Sequence, residues 1–215
     1  MEIITPSNDT ENNTNLNKIY NSSPLKKWIK LINFNHTFNW YNYIRKDNFQ
    51  HVADIILDVE THQNNIKKRN SLIQFIPKID TNKFNQKNEW IYIFLLNDNI
   101  VKIGGTRTGL KGRVNSYLCG HHVEARGKSG SCSKTNAYIY NTFYFYLQNG
   151  FKIKMYAFEI PIVKKTCSIL DQDIEITLQT YHAYESIYLN DFKKIYGSFP
   201  ILSDNCDPNY NIKNI

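Results

Sequence analysis

The four cysteines of this chain (Cys119, Cys132, Cys167, Cys206) form no CxxC pair, no apolar run approaches a membrane span, and no basic stretch leads into an apolar segment at the N-terminus. Each absence narrows the field. Without a tight cysteine framework, reduced thiols are expected, as in a cytosol or nucleus. A spanning helix needs about 20 apolar residues, so no membrane partner is expected. Without a leader the chain is expected to be cytoplasmic, or nuclear in a eukaryotic or viral source, and not secreted. No internal repeat is apparent.

What is present is aromatic and locally basic. Hydrophobic residues make up 41% of 215, with 15 Tyr and 12 Phe, enough for an aromatic core. The abundant asparagine fits AT-rich coding, so the Asn-x-Ser/Thr sequons carry no weight. The net charge of +7 is concentrated. Residues 102–134 hold Lys102, Arg107, Lys111, Arg113, Arg126, Lys128 and Lys134 against a single acid, Glu124. Seven cations in a short Gly- and Ser-rich stretch are either a solvated basic loop or a phosphate-facing patch, and the concentration favours the patch.

Residues 1–23 are polar and read as a disordered tail. From 24 to 87 the spacing predicts a helical segment, with Leu25, Trp28, Ile29 and Ile32 on one stripe and a second helix near Val52–Glu60. Its aromatic and basic residues (Trp28, Phe34, Trp40, Lys26, Lys27, Arg45 among them) make it a candidate for DNA recognition or for a homodimer contact. A compact unit follows over 88–200, then a tail over 201–215. In that unit, Trp90–Leu96 and Ile100–Thr106 read as a hairpin, Leu110–Leu118 as a short helix, Asn136–Gln148 as an aromatic helix, Phe151–Ile160 as a strand, and Asp173–Tyr196 as a long helix capped by Gly197. The expected fold is α+β: a small antiparallel three-stranded sheet flanked by helices, in the order β-β-α-α-β-α, with a helical N-terminal extension.

Three features carry chemistry. Leu178, Tyr181, Tyr188 and Phe192 share a 3–4 stripe, and Glu185 sits within it. A carboxylate there either snorkels to water or holds a metal. A three-residue turn at Asn97–Asn99 would set Phe94 opposite Lys102 and Tyr92 opposite Gly104, putting Tyr92 and Lys102 on one face. Arg113 and Tyr117 are one helical turn apart and share a side.

Together, Trp90-Ile91-Tyr92, Lys102-Ile103-Gly104, the stretch from Leu110 to Tyr117, and a late helical Glu185 resemble the GIY-YIG nuclease superfamily over about half of the chain. Trp90 stands where that family has its first glycine, Lys102 where it has its second tyrosine, and Tyr117 where it often has a histidine. The resemblance implies an endonuclease that hydrolyses double-stranded DNA with Mg²⁺, or Mn²⁺ in its place. It implies Glu185 as metal ligand, Arg113 on the phosphate, Tyr92 as base for the attacking water, Lys102 favouring the phenolate, and Tyr117 in support. Either Asn190 or Asn205 matches the family's late asparagine. A restriction-like role is the first expectation; a homing or viral nuclease of low specificity, or a non-catalytic DNA-binding module, is the alternative.

Arg107, Lys111, His121, His122, Arg126, Lys128 and Lys134 are the candidate DNA contacts. A competing reading gives Cys119, His121 or His122, and Cys132 to zinc, with Cys167, His182 or Cys206 as a distant fourth ligand.

Overall fold

The computed structural model describes residues 8–58, 71–121 and 132–203, with only the backbone for 8–14. The fold is α+β, but the sheet is twice the expected size. Six antiparallel strands run in the order β1-β5-β4-β6-β2-β3, where β1 is Phe38–Asn39, β2 Gln50–Leu57, β3 Ile73–Pro77, β4 Trp90–Leu96, β5 Asn99–Thr106 and β6 Ile153–Glu159. A separate hairpin pairs β7 (Val163–Ile169) with β8 (Gln172–Leu178). The helices are α1 (Asn8–Ser22), α2 (Thr81–Asn85), α3 (Gly109–Leu118), α4 (Lys134–Gln148) and α5 (Tyr181–Tyr196).

β4 lies near the centre because its sequence, WIYIFLL, offers an apolar side chain to both faces. Trp90, Tyr92, Phe94 and Leu96 join one core, roofed by Leu110, Val114 and Tyr117 of α3 and Phe143 and Tyr146 of α4. Ile91, Ile93 and Leu95 join a second core with Leu189 and Phe192 of α5 and with Trp40, Tyr43 and Phe49. The sheet is thus a shared wall, with α3 and α4 on one side and α5 on the other.

The N-terminal third corrects the helical expectation. Leu25–Ile32 contains one tight turn, Lys26–Trp28, and the Val52–Glu60 stretch is strand β2 up to Leu57. β-Branched Val52, Ile55 and Ile56 favour the pleat, and β2 bonds β6 on one side and β3 on the other. The sheet therefore crosses the expected boundary at 87/88. Most of the aromatics proposed for recognition are packing groups: Trp40 is buried, Phe34 and Phe38 lie against the two cores, and Tyr41 is exposed. The expected disordered tail also needs correction, since α1 covers Asn8–Ser22 and Leu16 enters the first core.

Downstream of Trp90 the order of elements matches the expectation, with one insertion. Asp173–Leu178 is strand rather than the start of the long helix, because Ile174, Ile176 and Leu178 alternate with polar residues. α5 begins at Tyr181 and ends on Gly197, whose φ of +82° and N–H bond to the Lys193 carbonyl make the expected left-handed cap.

Candidate active site

The hairpin register is the expected one, reached by a different route. Phe94 pairs with Lys102 and Tyr92 with Gly104. The turn, however, is two residues, Asn97 and Asp98, both with positive φ, closed by Leu96 opposite Asn99. A bulge between the Phe94 and Leu95 pairs then restores the register that a three-residue turn would have set.

That register lays the Tyr92 ring across Gly104. A Cβ there would stand 2.6 Å from Tyr92 Cζ and collide with the hydroxyl, so only glycine admits the phenol. α3 delivers Arg113 and Tyr117 onto it. Arg113 Nε donates to Tyr92 Oη at 2.7 Å, Arg113 Nη2 donates to Tyr117 Oη at 2.8 Å, and the two hydroxyls are 2.7 Å apart. Both oxygens accept from the guanidinium, so one phenol donates to the other and a single hydroxyl proton is left to point outward.

Both phenols are fully buried, and Arg113 is half-buried above them. Burial, then the neighbouring Tyr117, pushes the Tyr92 pKa well above the usual phenol value; Arg113 pulls it down, and Glu185 adds to the rise. Burial disfavours the charge of Arg113, but the two phenol oxygens outweigh this and raise its pKa. The resting cluster is a fixed cation on two neutral phenols.

Glu185 arrives from the other side of the sheet. Gly105 follows Gly104 and so faces α5; a Cβ there would meet Tyr181 Cδ2 at 3.0 Å and Glu185 Oε2 at 3.2 Å. The buried line of α5 runs through Ala183, Ser186, Leu189 and Phe192, which places Glu185 beside it, half-buried, rather than in its middle. Among the described residues it has no hydrogen bond or ion pair. The two glycines thin the strand where the two faces carry Tyr92 and Glu185. β1 covers β5 only at Asn99 and Ile100, and Leu202 and Ser203 bond to Val101 and Ile103, so the glycine end of β5 is the outer edge.

Lys102 shares the Tyr92 face and is buried, with Nζ donating to the Leu202 carbonyl at 3.0 Å. The cation hydrogen-bonded to Tyr92 is Arg113. The Glu89–Thr180 tie had no signal in sequence, whereas Tyr181 was on the Glu185 stripe. Glu89 Oε2 accepts from Thr180 N at 2.8 Å and Thr180 Oγ1 at 3.0 Å, tying the start of α5 to β4. Tyr181 lies against Gly105 beside Glu185. Glu89 and Thr180 are 91 residues apart and lie outside any periodic pattern.

Of the other candidates, Arg107, Lys111 and Lys134 are exposed, with Arg107 bonded to Gln179 Oε1 at 3.1 Å. His121 is half-buried, its Nδ1 2.6 Å from the Leu118 carbonyl. Asn190 is exposed on α5, 3.5 Å from Ser186 Oγ. His122, Arg126, Lys128, Asn205 and Cys206 lie outside the described residues. Cys119 and Cys132 bring their sulfurs to 2.6 Å, but among the described residues no group of three His, Cys, Asp or Glu could hold a metal. No described helix is long and apolar enough to cross a membrane.

No protein-family model matches the chain, and no curated protein matches it in sequence. Solved structures do resemble it, among them the following two. One is restriction endonuclease HPY188I in complex with product DNA, at 21% identity and a TM-score of 0.49, covering 82% of this chain and 88% of that one. The other is a mutant of bacteriophage T4 EndoII, at 20% identity and a TM-score of 0.45, covering 73% and 96%.

Proposed function

We propose that this chain is a DNA endonuclease of GIY-YIG type that hydrolyses phosphodiester bonds of double-stranded DNA with Mg²⁺. One observation carries the reading: Arg113 holds two buried phenols on one face of β5, and a carboxylate unpartnered among the described residues, Glu185, sits over the adjacent glycine on the other.

The donor set suits a hard cation. One half-exposed carboxylate with no partner among the described residues leaves the remaining positions to water and phosphate oxygens, which is how Mg²⁺ is commonly held. When bound, the cation supplies Lewis-acid stabilisation of the phosphate and of the leaving oxygen. The chain's own groups do the rest. Arg113 spends two of its N–H donors on the phenols and keeps the others for a non-bridging phosphate oxygen. Its charge is fixed in advance, so no reorganisation is needed as negative charge builds up. Tyr92 starts neutral and orients the water through its oxygen. It becomes a base only after giving up its own proton: that proton passes to the Tyr117 oxygen 2.7 Å away as the Tyr117 hydroxyl proton leaves outward to solvent, and Arg113, already hydrogen-bonded to Tyr92, offsets the phenolate charge. Tyr117 fixes the Tyr92 oxygen from the side, and Lys102 holds the 202–203 segment along the edge of β5.

The DNA contacts belong to the basic stretch, with exposed Arg107 and Lys111 nearest the site in sequence and Lys134, His121, His122, Arg126 and Lys128 beyond. Sequence-specific, restriction-like cleavage is the favoured role. Incubating mixed plasmid DNA with the chain and Mg²⁺ tests both points. Discrete bands support the proposal in full, and a smear keeps the hydrolysis without the specificity. DNA bound but intact at every metal concentration would sink it in favour of a binding module.

A further inference from the structure

The β7–β8 hairpin stands apart from the cores of the described residues. None of its residues joins either core or the small cluster around Cys132. A lone two-stranded hairpin is marginal in water. Yet its ladder sorts the side chains by character. Val163, Cys167 and Ile169 on β7 and Ile174, Ile176 and Leu178 on β8 fall on one face, together with Lys165 and Gln172; Lys164, Thr166, Ser168, Asp173, Glu175 and Thr177 fall on the other. Ile169 is 53% exposed and Ile174 39%. At the tip, Leu170 is 91% exposed and sits at φ +50°, where Asn or Gly is favoured. A residue that violates both burial and backbone preference serves something outside the monomer.

We infer that two copies of this chain pair through the β7–β8 hairpin, apolar face on apolar face, antiparallel about a two-fold axis. Charge selects the occupant. In a chain of net +7, this hairpin carries more acid than base: Lys164 and Lys165 against Asp171, Asp173 and Glu175. That balance, and an apolar face, disfavour DNA. Lys164 is bound to Glu175 across the polar face. Beside that pair, Lys165 lies near the base on the apolar face and Asp171 at the tip, while Asp173 belongs to the polar face. An antiparallel two-fold sets the base of one copy beside the tip of the other, so each Lys165 approaches Asp171 of the second copy; a parallel arrangement would set like against like. The face is its own complement.

The inference goes beyond the proposed hydrolysis and does not depend on it, since it is read by mass without DNA. The full chain, sedimented at micromolar concentration, is expected at twice its 25.3 kDa. Ile174→Glu should return it to the monomer while far-UV circular dichroism stays unchanged. Leu170→Asp, at a turn where no packing is lost, gives the same reading should Ile174→Glu fail to fold. Lys165→Asp and Asp171→Lys should each weaken association by about tenfold, and combining both in one chain should restore most of it. A monomeric wild type overturns the inference, whether the face proves to be covered by residues 204–215 or to bind DNA. A dimer unaffected by Ile174→Glu and Leu170→Asp overturns it too. A charge-swapped double variant no better than the single ones overturns the antiparallel sense.

Discussion

This chain contains two β-hairpins built on the same turn and put to opposite uses. β4–β5 turns at Asn97-Asp98 and β7–β8 at Leu170-Asp171, each with two central residues at positive φ. The first is buried along all of β4; the second is exposed along nearly all of both strands. Turn chemistry thus decides pairing, and side-chain pattern decides burial. WIYIFLL has no polar face to offer water, whereas VKKTCSI and QDIEITL alternate and leave one face polar. The candidate chemistry sits on the hairpin that cannot move, because Tyr92 is fixed by core on both sides of its strand.

The sharpest way to break this comparison is at Glu185, over the central hairpin. Glu185→Gln keeps shape and removes the charge. Plasmid cleavage should fall below detection while DNA binding, followed by gel shift, persists. Near wild-type cutting with Mg²⁺ would remove Glu185 from the site. Next in size is Tyr92→Phe. It leaves Arg113 Nε without its 2.7 Å acceptor and Tyr117 without its neighbour, but preserves the ring over Gly104. Turnover should drop by about two orders of magnitude, with a folding cost of about 1–3 kcal/mol for the stranded donor. An unchanged single-turnover rate would exclude the tyrosine.

Alkaline pH separates the hairpins without mutation. β7 and β8 contain no tyrosine, while the sheet core is full of them. Burial raises Tyr146 from 10.0 to about 12, and burial first, then Tyr117, raises Tyr92. Folded pKa values above the unfolded one mean that the unfolded chain releases its protons first. Stability from these phenols is complete below pH 10 and is lost as pH climbs from 10 toward 12. Thermal melts at rising pH, with tyrosinate absorbance alongside, should show a declining melting temperature from about pH 10 and no release of the buried phenols ahead of unfolding. Early release of phenolate in the folded state would contradict the closed cluster around Arg113.

Much of the central unit was legible because its signals are local. β4 and β5, α3 and α4, the Gly197 cap and the Tyr92–Gly104 pairing all follow from runs or spacings within a few residues. Arg113 and Tyr117 share a helical side, so their joint approach to Tyr92 was also within reach. β2 was not, because Val52, Ile55, Ile56 and Val59 also satisfy a helical spacing, and only pairing with β6 and β3 decides between the two. The Glu89–Thr180 tie and the position of Lys102 on the Leu202 carbonyl depend on contacts 91 and 100 residues apart. The β7–β8 insertion was hidden because Ile174, Ile176 and Leu178 lead straight into the periodicity of α5.

The smallest expected effect bears on why the second hairpin keeps a leucine at its turn. Asn97 takes the left-handed position in the first hairpin at little cost; Leu170 takes the equivalent one at φ +50°, where a side chain larger than Asn or Gly costs about 1–2 kcal/mol. Among the described residues nothing offsets this, since Leu170 is 91% exposed. Leu170→Asn should therefore stabilise the hairpin by a few tenths to about 1 kcal/mol, read from melts at concentrations low enough to hold the chain monomeric. If the tip is a contact between copies, the same substitution should weaken association, read by sedimentation at higher concentration. Opposite signs from one variant distinguish a residue kept for pairing from one that is merely tolerated. A gain in monomer stability with no loss of association would leave Leu170 a tolerated outlier and shift the contact down the ladder to Ile169 and Ile174.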